Sequence, residues 1–354
     1  MNCENGVQKL LYFFSKRLDC PFAPPRNITL TLNYICNQKC MMCDIKNHSF
    51  GKKHEITQSE IEGIIDEMVE MDIPELVLTG GEPFLYEKIF EIITYAKKMK
   101  RKVVMITNGF YGGDITEKII ASQADHLQIS LDGSNAKVYE EIRGVRGSFD
   151  IVINNIKRFV SCGKSVAVTA TITKQNYADL LNIAYLARSL GCNRLALRPA
   201  HVSNADPLNK DSLNCNFWIP QEELGAFRKV CADLEEFNMQ GNFLDFNPGI
   251  ELLPEYFKNG YLHPKGSCFI GFTRLIISYD EKNSYGVWMC RDMVGDIRKE
   301  SLKKIWHGKK ARKMRQLIKK CNQGCFFPEI HEPELSNFFT LFKRTFKSFC
   351  SSQV

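Results

Sequence analysis

Three cysteines that stand close together are the residues whose spacing most clearly indicates chemistry. They occur in Cys36-Asn-Gln-Lys-Cys40-Met-Met-Cys43, directly after a predicted β-strand. Iron–sulfur clusters usually take four cysteine ligands. Three thiolates on one short loop would therefore leave one iron of a four-iron cluster open to a small molecule. A lone zinc site is the alternative, but zinc needs paired Cys or His spacing and a fourth ligand nearby.

Short polar and glycine-rich segments end the next three predicted strands. They are Gly80-Gly81-Glu82-Pro83, Thr107-Asn108-Gly109 and Ser130-Leu131-Asp132-Gly133, followed by Ile142-Arg143-Gly144 and Ser148-Phe149-Asp150. Two glycines allow a backbone to approach a ligand closely. A carboxylate such as Glu82 pairs with an ammonium group. A plain β-to-α turn is the alternative for the first segment, and a surface ion pair for Arg143.

Taken in this order, the motifs resemble those of the radical S-adenosylmethionine (SAM) superfamily, in the branch with a C-terminal SPASM or twitch module. The resemblance implies that Cys36, Cys40 and Cys43 bind a 4Fe-4S cluster. It also implies SAM contacts from Gly80, Gly81, Glu82, Pro83, Asn108, Ser130, Asp132, Arg143 and Arg198. In the family the GGEP element holds the SAM amine, and a Ser and an Arg at the places of Ser130 and Arg143 contact its carboxylate. Arg198 ends the sixth predicted strand and points to the same mouth.

The family's chemistry is reductive cleavage of SAM to methionine and a 5′-deoxyadenosyl radical, which abstracts a hydrogen atom from the substrate. The cofactors supply this chemistry, and the protein orients them and keeps water away. No general acid or base can be assigned from the sequence.

A second group of cysteines lies towards the C-terminus. Cys268, Cys290, Cys321 and Cys325, with the segment Gly295–Trp306 between them, are similar in order to a SPASM or twitch module. Four cysteines suit one complete auxiliary 4Fe-4S cluster, and Cys350 is a further candidate ligand. Because a full SPASM pattern has more cysteines, we expect a single auxiliary cluster, which would accept an electron or bind substrate.

The elements that position these residues alternate between strands and helices from Arg26 to about Ala200. The predicted strands are Asn27–Asn33, Glu75–Thr79, Lys102–Thr107, His126–Leu131, Ser165–Thr173 and Arg194–Arg198. The predicted helices are Thr57–Met71, Leu85–Met99, Ile115–Gln123, Ile151–Cys162 and Asn176–Leu190. Such a series predicts a parallel sheet, doubly wound or curled into a partial barrel. We therefore expect an α/β fold, a partial (β/α)6 TIM-like barrel with a small C-terminal α+β iron–sulfur module.

The sequence divides into five predicted regions. They are an N-terminal amphipathic helix (1–25), the barrel core (26–219), a connecting helical segment (220–261), the auxiliary cluster module (262–330) and a C-terminal amphipathic helix (331–354). The module is expected to contain a hairpin, Thr273–Ser278 with Ser284–Cys290, and a basic helix, Ser301–Lys319. The terminal helices, Val7–Leu18 and Leu335–Phe349, are basic and aromatic. Packing onto protein is favoured for both, and peripheral membrane contact is the alternative.

Composition limits the classes of protein that fit. The 354 residues are 44% hydrophobic with 14 cysteines and a net charge of +7. Without an apolar run of about 18 residues or a secretory signal, we expect a cytoplasmic protein, in which clustered cysteines indicate metal binding. Basic residues concentrate between Arg291 and Lys320, either as a solvated helix face or as a dock for an acidic electron donor such as a flavodoxin or ferredoxin. No nucleic acid is expected.

Two functions stay open within the family resemblance. Only 35 residues precede Cys36, too few for the leader-binding domain of many peptide-modifying members. This favours an oxidoreductase-type reaction, a dehydrogenation or other C–H functionalisation of a small sugar- or cyclitol-like alcohol. A peptide- or protein-modifying maturase is the alternative. A non-catalytic iron–sulfur carrier is a distant third, because a carrier needs no SAM pocket.

Overall fold

A computed structural model of the chain describes residues 3–43, 45, 55–200, 216–246, 249–260, 268–280, 284–290 and 292–321. Ten strands in these residues form one sheet. They are β1 Asn27–Thr31, β2 Glu75–Thr79, β3 Lys102–Thr107, β4 His126–Ser130, β5 Val166–Ile172, β6 Arg194–Pro199, β7 Leu244–Asp245, β8 Arg274–Asp280, β9 Ser284–Met289 and β10 Asp292–Asp296. Their order across the sheet is β10-β9-β8-β1-β2-β3-β4-β5-β6-β7.

Strands β1 to β6 are parallel, and each pairs with the next strand along the chain. A doubly wound sheet reverses its strand order within the parallel units, whereas β1 to β7 follow one another across the sheet in chain order. The fold is therefore a partial TIM-like barrel of the α/β class, as the sequence predicts. The carboxyl ends of all six strands meet at one edge, where such folds place their active sites.

In the described residues, helices precede, connect and follow the strands. They are α1 Cys3–Leu18, α2 Gln58–Glu70, α3 Ile89–Lys98, α4 Gly113–Ala121, α5 Ala136–Arg143, α6 Ser148–Ser161, α7 Leu180–Ser189, α8 Leu224–Met239, α9 Leu253–Asn259, α10 Ile270–Thr273, α11 Leu302–His307 and α12 Lys309–Lys320. The helix α2 shows why a segment begins where it does. Thr57 and Glu60 form the predicted capping box, in which Thr57 N donates to Glu60 Oε2 at 2.8 Å. Its apolar stripe, Ile61, Ile64, Ile65 and Met68, is buried against the sheet.

Several helix boundaries differ from the sequence prediction. The helix α3 begins at Ile89 and not at Leu85, because Pro83–Leu85 form a separate 3-10 turn. Likewise α7 begins at Leu180, after a 3-10 turn at Tyr177–Asp179. The predicted basic helix breaks at Gly308, whose extended backbone (φ −69°, ψ 162°) separates α11 from α12.

The helix α5 was not predicted, although its end signals are present in the sequence. The Asn135 side chain caps it by accepting a hydrogen bond from Val138 N, and Gly144 ends it in the left-handed conformation. It is only eight residues long, which is too short for its apolar periodicity to stand out.

The C-terminal hairpin extends the barrel sheet. The predicted hairpin is observed as the antiparallel pair β8 and β9, and β10 pairs with the other edge of β9. Strand β8 also pairs in parallel with β1, with Asn27 opposite Arg274. The hairpin therefore continues the barrel sheet beyond β1, a long-range pairing that the local sequence pattern does not reveal.

The N-terminal helix α1 packs on the C-terminal module by one face. Tyr12 is fully buried with Ala23 and Phe272, and its hydroxyl donates to Pro24 O at 2.8 Å. Phe14 and Leu18 on the same helix are exposed. The predicted C-terminal helix, Cys325, Cys350 and residues 201–215 of the barrel's last connection lie outside the described residues. Within the described ranges, no helix combines the length and apolar character needed to cross a membrane.

Candidate active site

The cysteine loop, residues 32–43, leaves the carboxyl end of β1 and carries the three cysteines of the first motif. Their side chains are partly buried. Burial raises the pKa of Cys36 and of Cys40, and the charge of Cys43 raises both further. The three thiols are therefore close enough for their charges to interact. A bound cation would offset the burial and the mutual repulsion that raise these pKa values, and it would favour the thiolate forms.

Gly80 and Gly81 fasten one side of the cysteine loop. Gly81 N donates to Asn33 O at 2.8 Å, and Glu82 N donates to Ile35 O at 2.7 Å. A Cβ on Gly80 would lie 2.8 Å from Asn33 O, and one on Gly81 only 2.1 Å from Ile35 O. These contacts are too short for real Cβ atoms, so both positions require glycine. The sequence suggested a ligand as the reason for this close approach, and the structure adds a second one, the cysteine loop itself.

The C-terminal end of α5 fastens the other side of the loop. Lys39 N donates to Arg143 O at 3.0 Å. The left-handed residue Gly144 comes next, and a Cβ there would lie 2.6 Å from Lys39 O. The Ile142-Arg143-Gly144 segment thus supports the cysteine backbone, in addition to any role that its side chains have.

Glu82 lies beneath the loop with a fully buried carboxylate. Its Oε1 accepts hydrogen bonds from Phe84 N (3.1 Å) and Thr107 Oγ1 (2.7 Å), and its Oε2 accepts one from Asn108 N (2.8 Å). Burial raises the pKa of Glu82 to about 7, and these three donors oppose the shift. The carboxylate therefore joins the ends of β2 and β3, and the predicted contact of its side chain with the SAM amine stays a prediction. Pro83 begins the turn that follows and is buried.

Asp132 and Arg143 form a buried ion pair between the end of β4 and α5. Arg143 Nη2 lies 2.6 Å from Asp132 Oδ2, and their side chains are 8% and 0% exposed. Burial raises the pKa of Asp132, and Arg143 opposes the shift. Burial also lowers the pKa of Arg143, but the charges of Asp132 and Cys40 outweigh it, so that pKa is raised. The bland alternative for Arg143, a surface ion pair, does not hold, because the pair is buried.

Three donors contact cysteine sulfurs. Asn108 Nδ2 lies 3.6 Å from Cys36 Sγ, and Arg143 Nη1 lies 3.5 Å from Cys40 Sγ. Gln38 N also donates to Cys36 Sγ, at 3.4 Å. Charge-assisted hydrogen bonds of this kind stabilise thiolates over thiols.

The remaining predicted SAM contacts fall in two places. Ser130 ends β4 on the same edge of the sheet, two residues before Asp132. Arg198 lies in β6, but its guanidinium pairs with Asp245 in β7 (Nη2 to Oδ2, 3.1 Å) and donates to two carbonyl oxygens. Its predicted contact with SAM or substrate would have to compete with this pairing.

Asn176 was missed by sequence reasoning. Fully buried, it donates to Asp132 O and fixes the turn after β4.

The residues present fit a cluster with SAM. Two of the three thiols on the loop, those of Cys36 and Cys40, receive hydrogen bonds suited to thiolates, and the buried Arg143 Nε has no acceptor among the described residues. That N–H could meet a carboxylate of a bound ligand. Within the same residues no three His, Cys, Asp or Glu side chains are close enough to hold a single metal ion. The fit therefore rests on the donor set and its surroundings.

The elements that carry three of the four predicted auxiliary ligands meet at the opposite end of the sheet. Cys268 precedes α10, Cys290 follows β9 in the left-handed region, and Cys321 caps α12. A Cβ on Gly271 of α10 would touch both Ile318 of α12 and Met289 of β9, so these three elements meet there. Arg274 pairs with Asn27, at the start of β1, whereas the cysteine loop follows its end. Five residues of strand separate the two sites by roughly 17 Å.

Comparisons with known proteins agree with this arrangement. The profile described as the Radical SAM superfamily matches residues 30–187, and that of an iron–sulfur cluster-binding domain, SPASM, matches residues 268–326. Together they cover more than half of the chain.

Two relatives of known name each match about half of this chain. An AdoMet-dependent heme synthase of Methanosarcina barkeri is 32% identical over 168 residues, 47% of this chain and 48% of that protein. The mycofactocin maturase MftC of Mycolicibacterium smegmatis is 32% identical over 195 residues, 54% of this chain and 48% of that protein. The matches thus span about half of the length of either relative.

Solved structures share the fold over a longer stretch. The alignment with Streptococcus suis SuiB bound to the precursor peptide SuiA covers 92% of this chain and 78% of the SuiB chain, with a TM-score of 0.68 and 16% identity. The alignment with native anSMEcpe with bound AdoMet covers 84% of this chain and 84% of that chain, with a TM-score of 0.65 and 15% identity. With the cysteine loop, the GGEP turn and both profile matches in agreement, this chain belongs to the radical SAM superfamily, binds SAM and 4Fe-4S clusters, and carries a SPASM-type auxiliary cluster module.

Proposed function

We propose that the protein is a peptide- or protein-modifying maturase that uses SAM to generate a radical on its substrate. The observation that carries the radical chemistry is the cysteine loop, which is held between Gly81 and α5 with donors on Cys36 and Cys40. When bound, the cluster and SAM supply an electron and a 5′-deoxyadenosyl radical that removes a substrate hydrogen atom.

The protein's own residues have separable tasks in this proposal. Cys36, Cys40 and Cys43 hold three irons. The main chain of Gly80 and Gly81 receives the SAM amine at the end of β2. Arg143 receives the SAM carboxylate through its Nε, which has no acceptor in the part of the chain that the structure describes, together with Ser130.

The names of the relatives support the maturase over the small-molecule alternative. One relative is called a maturase, and solved structures of the same fold are described as bound to a precursor peptide or to a Kp18Cys peptide. The expected sugar- or cyclitol-like alcohol has no such support here. A small-molecule substrate remains a second candidate, because another relative is a heme synthase. A net oxidation of the substrate likewise stays a prediction.

SAM cleavage is tested with anaerobically reconstituted protein, SAM and dithionite. We expect release of 5′-deoxyadenosine that requires all three cysteines. The variant with Cys36, Cys40 and Cys43 changed to Ala should form none, whereas Cys162→Ala, which changes an exposed cysteine on the outer helical layer, should match wild type. Equal product from the triple variant would refute the proposal.

The substrate class is tested by hydrogen transfer. Extracts of the source cells grown in D₂O are separated by size into peptides and proteins on one side and smaller molecules on the other. Each fraction is incubated with enzyme and unlabelled SAM, and deuterium in 5′-deoxyadenosine is measured by mass spectrometry. The maturase proposal predicts label from the peptide and protein fraction. Label from the small-molecule fraction alone would replace it with the second candidate.

A further inference from the structure

Two buried carboxylates each contact a residue whose side chain approaches a cysteine sulfur: Glu82 binds the backbone of Asn108, and Asp132 binds the side chain of Arg143. In the first relay, Glu82 Oε2 accepts a hydrogen bond from Asn108 N at 2.8 Å, and the Asn108 side-chain amide lies 3.6 Å from Cys36 Sγ. The same amide also donates to Asn37 Oδ1 at 2.7 Å, which fixes its orientation. Asn108 is 6% exposed, so this amide is shielded from water.

The second relay lies on the other side of the loop, and its carboxylate contacts the donor side chain directly. Asp132 Oδ2 lies 2.6 Å from Arg143 Nη2, and Arg143 Nη1 lies 3.5 Å from Cys40 Sγ. Asp132 is fixed in turn, because its Oδ1 accepts a hydrogen bond from Thr171 N at 2.7 Å. Both carboxylates stand at strand ends, on β2 and β4, which are rigid parts of the barrel.

We propose that Asn108 and Arg143 set the reduction potential of the cluster bound by the cysteine loop, and that Glu82 and Asp132 are positioning residues that aim these two donors. The inference rests on the proposed function, since it needs a cluster at Cys36, Cys40 and Cys43. Hydrogen bonds to cluster sulfurs, and local charge, are the levers by which a protein sets such potentials. An added electron increases negative charge on the sulfurs, so donors stabilise the reduced state and raise the potential.

The burial of both relays strengthens the effect. In a low-dielectric surrounding, a hydrogen bond or a charge acts on its neighbour more strongly than in water. Asp132 and the Asn37 side-chain oxygen hold the two donor groups directly, and Glu82 fixes the backbone that carries the Asn108 amide. Geometry and not only composition therefore fixes the potential.

The test is a redox titration of the reconstituted, SAM-free protein, followed by electron paramagnetic resonance (EPR). The signal that changes when SAM is added identifies the cluster of the loop. Asn108→Leu removes the donor at similar volume, and Asn108→Asp places an oxygen against the thiolate. At a fixed potential we expect the reduced-to-oxidised ratio to fall about tenfold in Asn108→Leu, which is about 59 mV for one electron, and further in Asn108→Asp. The matched control is Asn154→Leu, an exposed position on α6.

A paired variant tests the second relay without leaving a buried charge alone. Asp132→Asn combined with Arg143→Met keeps the net charge of the pair and should also lower the potential. Unchanged potentials in the Asn108 variants and in the paired variant, with normal iron content, would overturn the inference. Loss of the loop iron from these variants but not from Asn154→Leu would assign the relays a structural role and overturn it as well. Absence of iron from the wild-type loop would instead refute the proposed function.

Discussion

Replacing Gly81 with alanine should detach the cysteine loop from the barrel. The new Cβ would lie 2.1 Å from Ile35 O and 2.5 Å from Ile35 C. Because both are backbone atoms, the loop must move by about 1 Å, which stretches its hydrogen bonds beyond the normal range. Two of them hold this side, Gly81 N to Asn33 O and Glu82 N to Ile35 O.

The size of the effect follows from these two bonds. Each contributes about 1 kcal/mol, so their loss costs about 2 kcal/mol and lowers the ratio of assembled to detached loop by about 30-fold. We expect lower stability in urea and less iron per chain after anaerobic reconstitution. Cluster absorption should fall in parallel.

Gly63→Ala is the matched control for this substitution. Gly63 lies in α2, and its added Cβ would have open space, so stability should stay the same or rise by up to about 1 kcal/mol. A Gly81→Ala protein with wild-type stability and iron content would show that the close approach of loop and turn does not hold the cluster site together.

Three further results are expected. Burial raises the pKa of Glu82 from 4.5 to about 7, so the folded state binds the proton more tightly than the unfolded state does. The stability that this proton contributes is fully present below pH 4.5 and falls by about 3 kcal/mol as the pH rises through 7. Urea unfolding should show this loss of stability in wild type and not in Glu82→Gln. Arg143→Met should lower the free energy of unfolding by roughly 3–5 kcal/mol, because it leaves Asp132 buried and unpaired. Adding Asp132→Asn in the same chain should restore most of this stability. A double variant no more stable than Arg143→Met alone would contradict a buried ion pair. Changing Cys268 and Cys321 together to Ala should remove about half of the iron, measured per chain, and leave the SAM-dependent EPR signal; full iron content would show that these cysteines bind no cluster.

The barrel was predictable because its strands have clear local signals. The runs at Glu75–Thr79 and Lys102–Thr107 coincide with β2 and β3 to the residue, since both are buried, β-branched and bounded by turns. The pairing of β8 with β1 was not predictable, because Asn27 and Arg274 are far apart in sequence and no local pattern records which edges meet.

The site residues show a similar division. The motifs identified Glu82, Asn108, Asp132 and Arg143. They did not show that Glu82 contacts Asn108 or that Asp132 contacts Arg143. The contact of Glu82 with SAM stays a prediction, but the motif did not show that its carboxylate also binds the end of β3. The contact of Arg198 with SAM or substrate also stays a prediction, and its partner Asp245 belongs to a two-residue strand with no recognisable pattern. Side-chain direction depends on neighbours brought together by the fold, and spacing in one sequence does not contain that information.

The central claim is that the fourth iron of a cluster held by Cys36, Cys40 and Cys43 binds SAM directly. Electron–nuclear double resonance of the reduced, anaerobic protein with SAM labelled by ¹⁵N at its amine measures that bond. We predict a hyperfine coupling to ¹⁵N that is absent with unlabelled SAM. A reduced cluster that shows no coupling at saturating labelled SAM would contradict the claim.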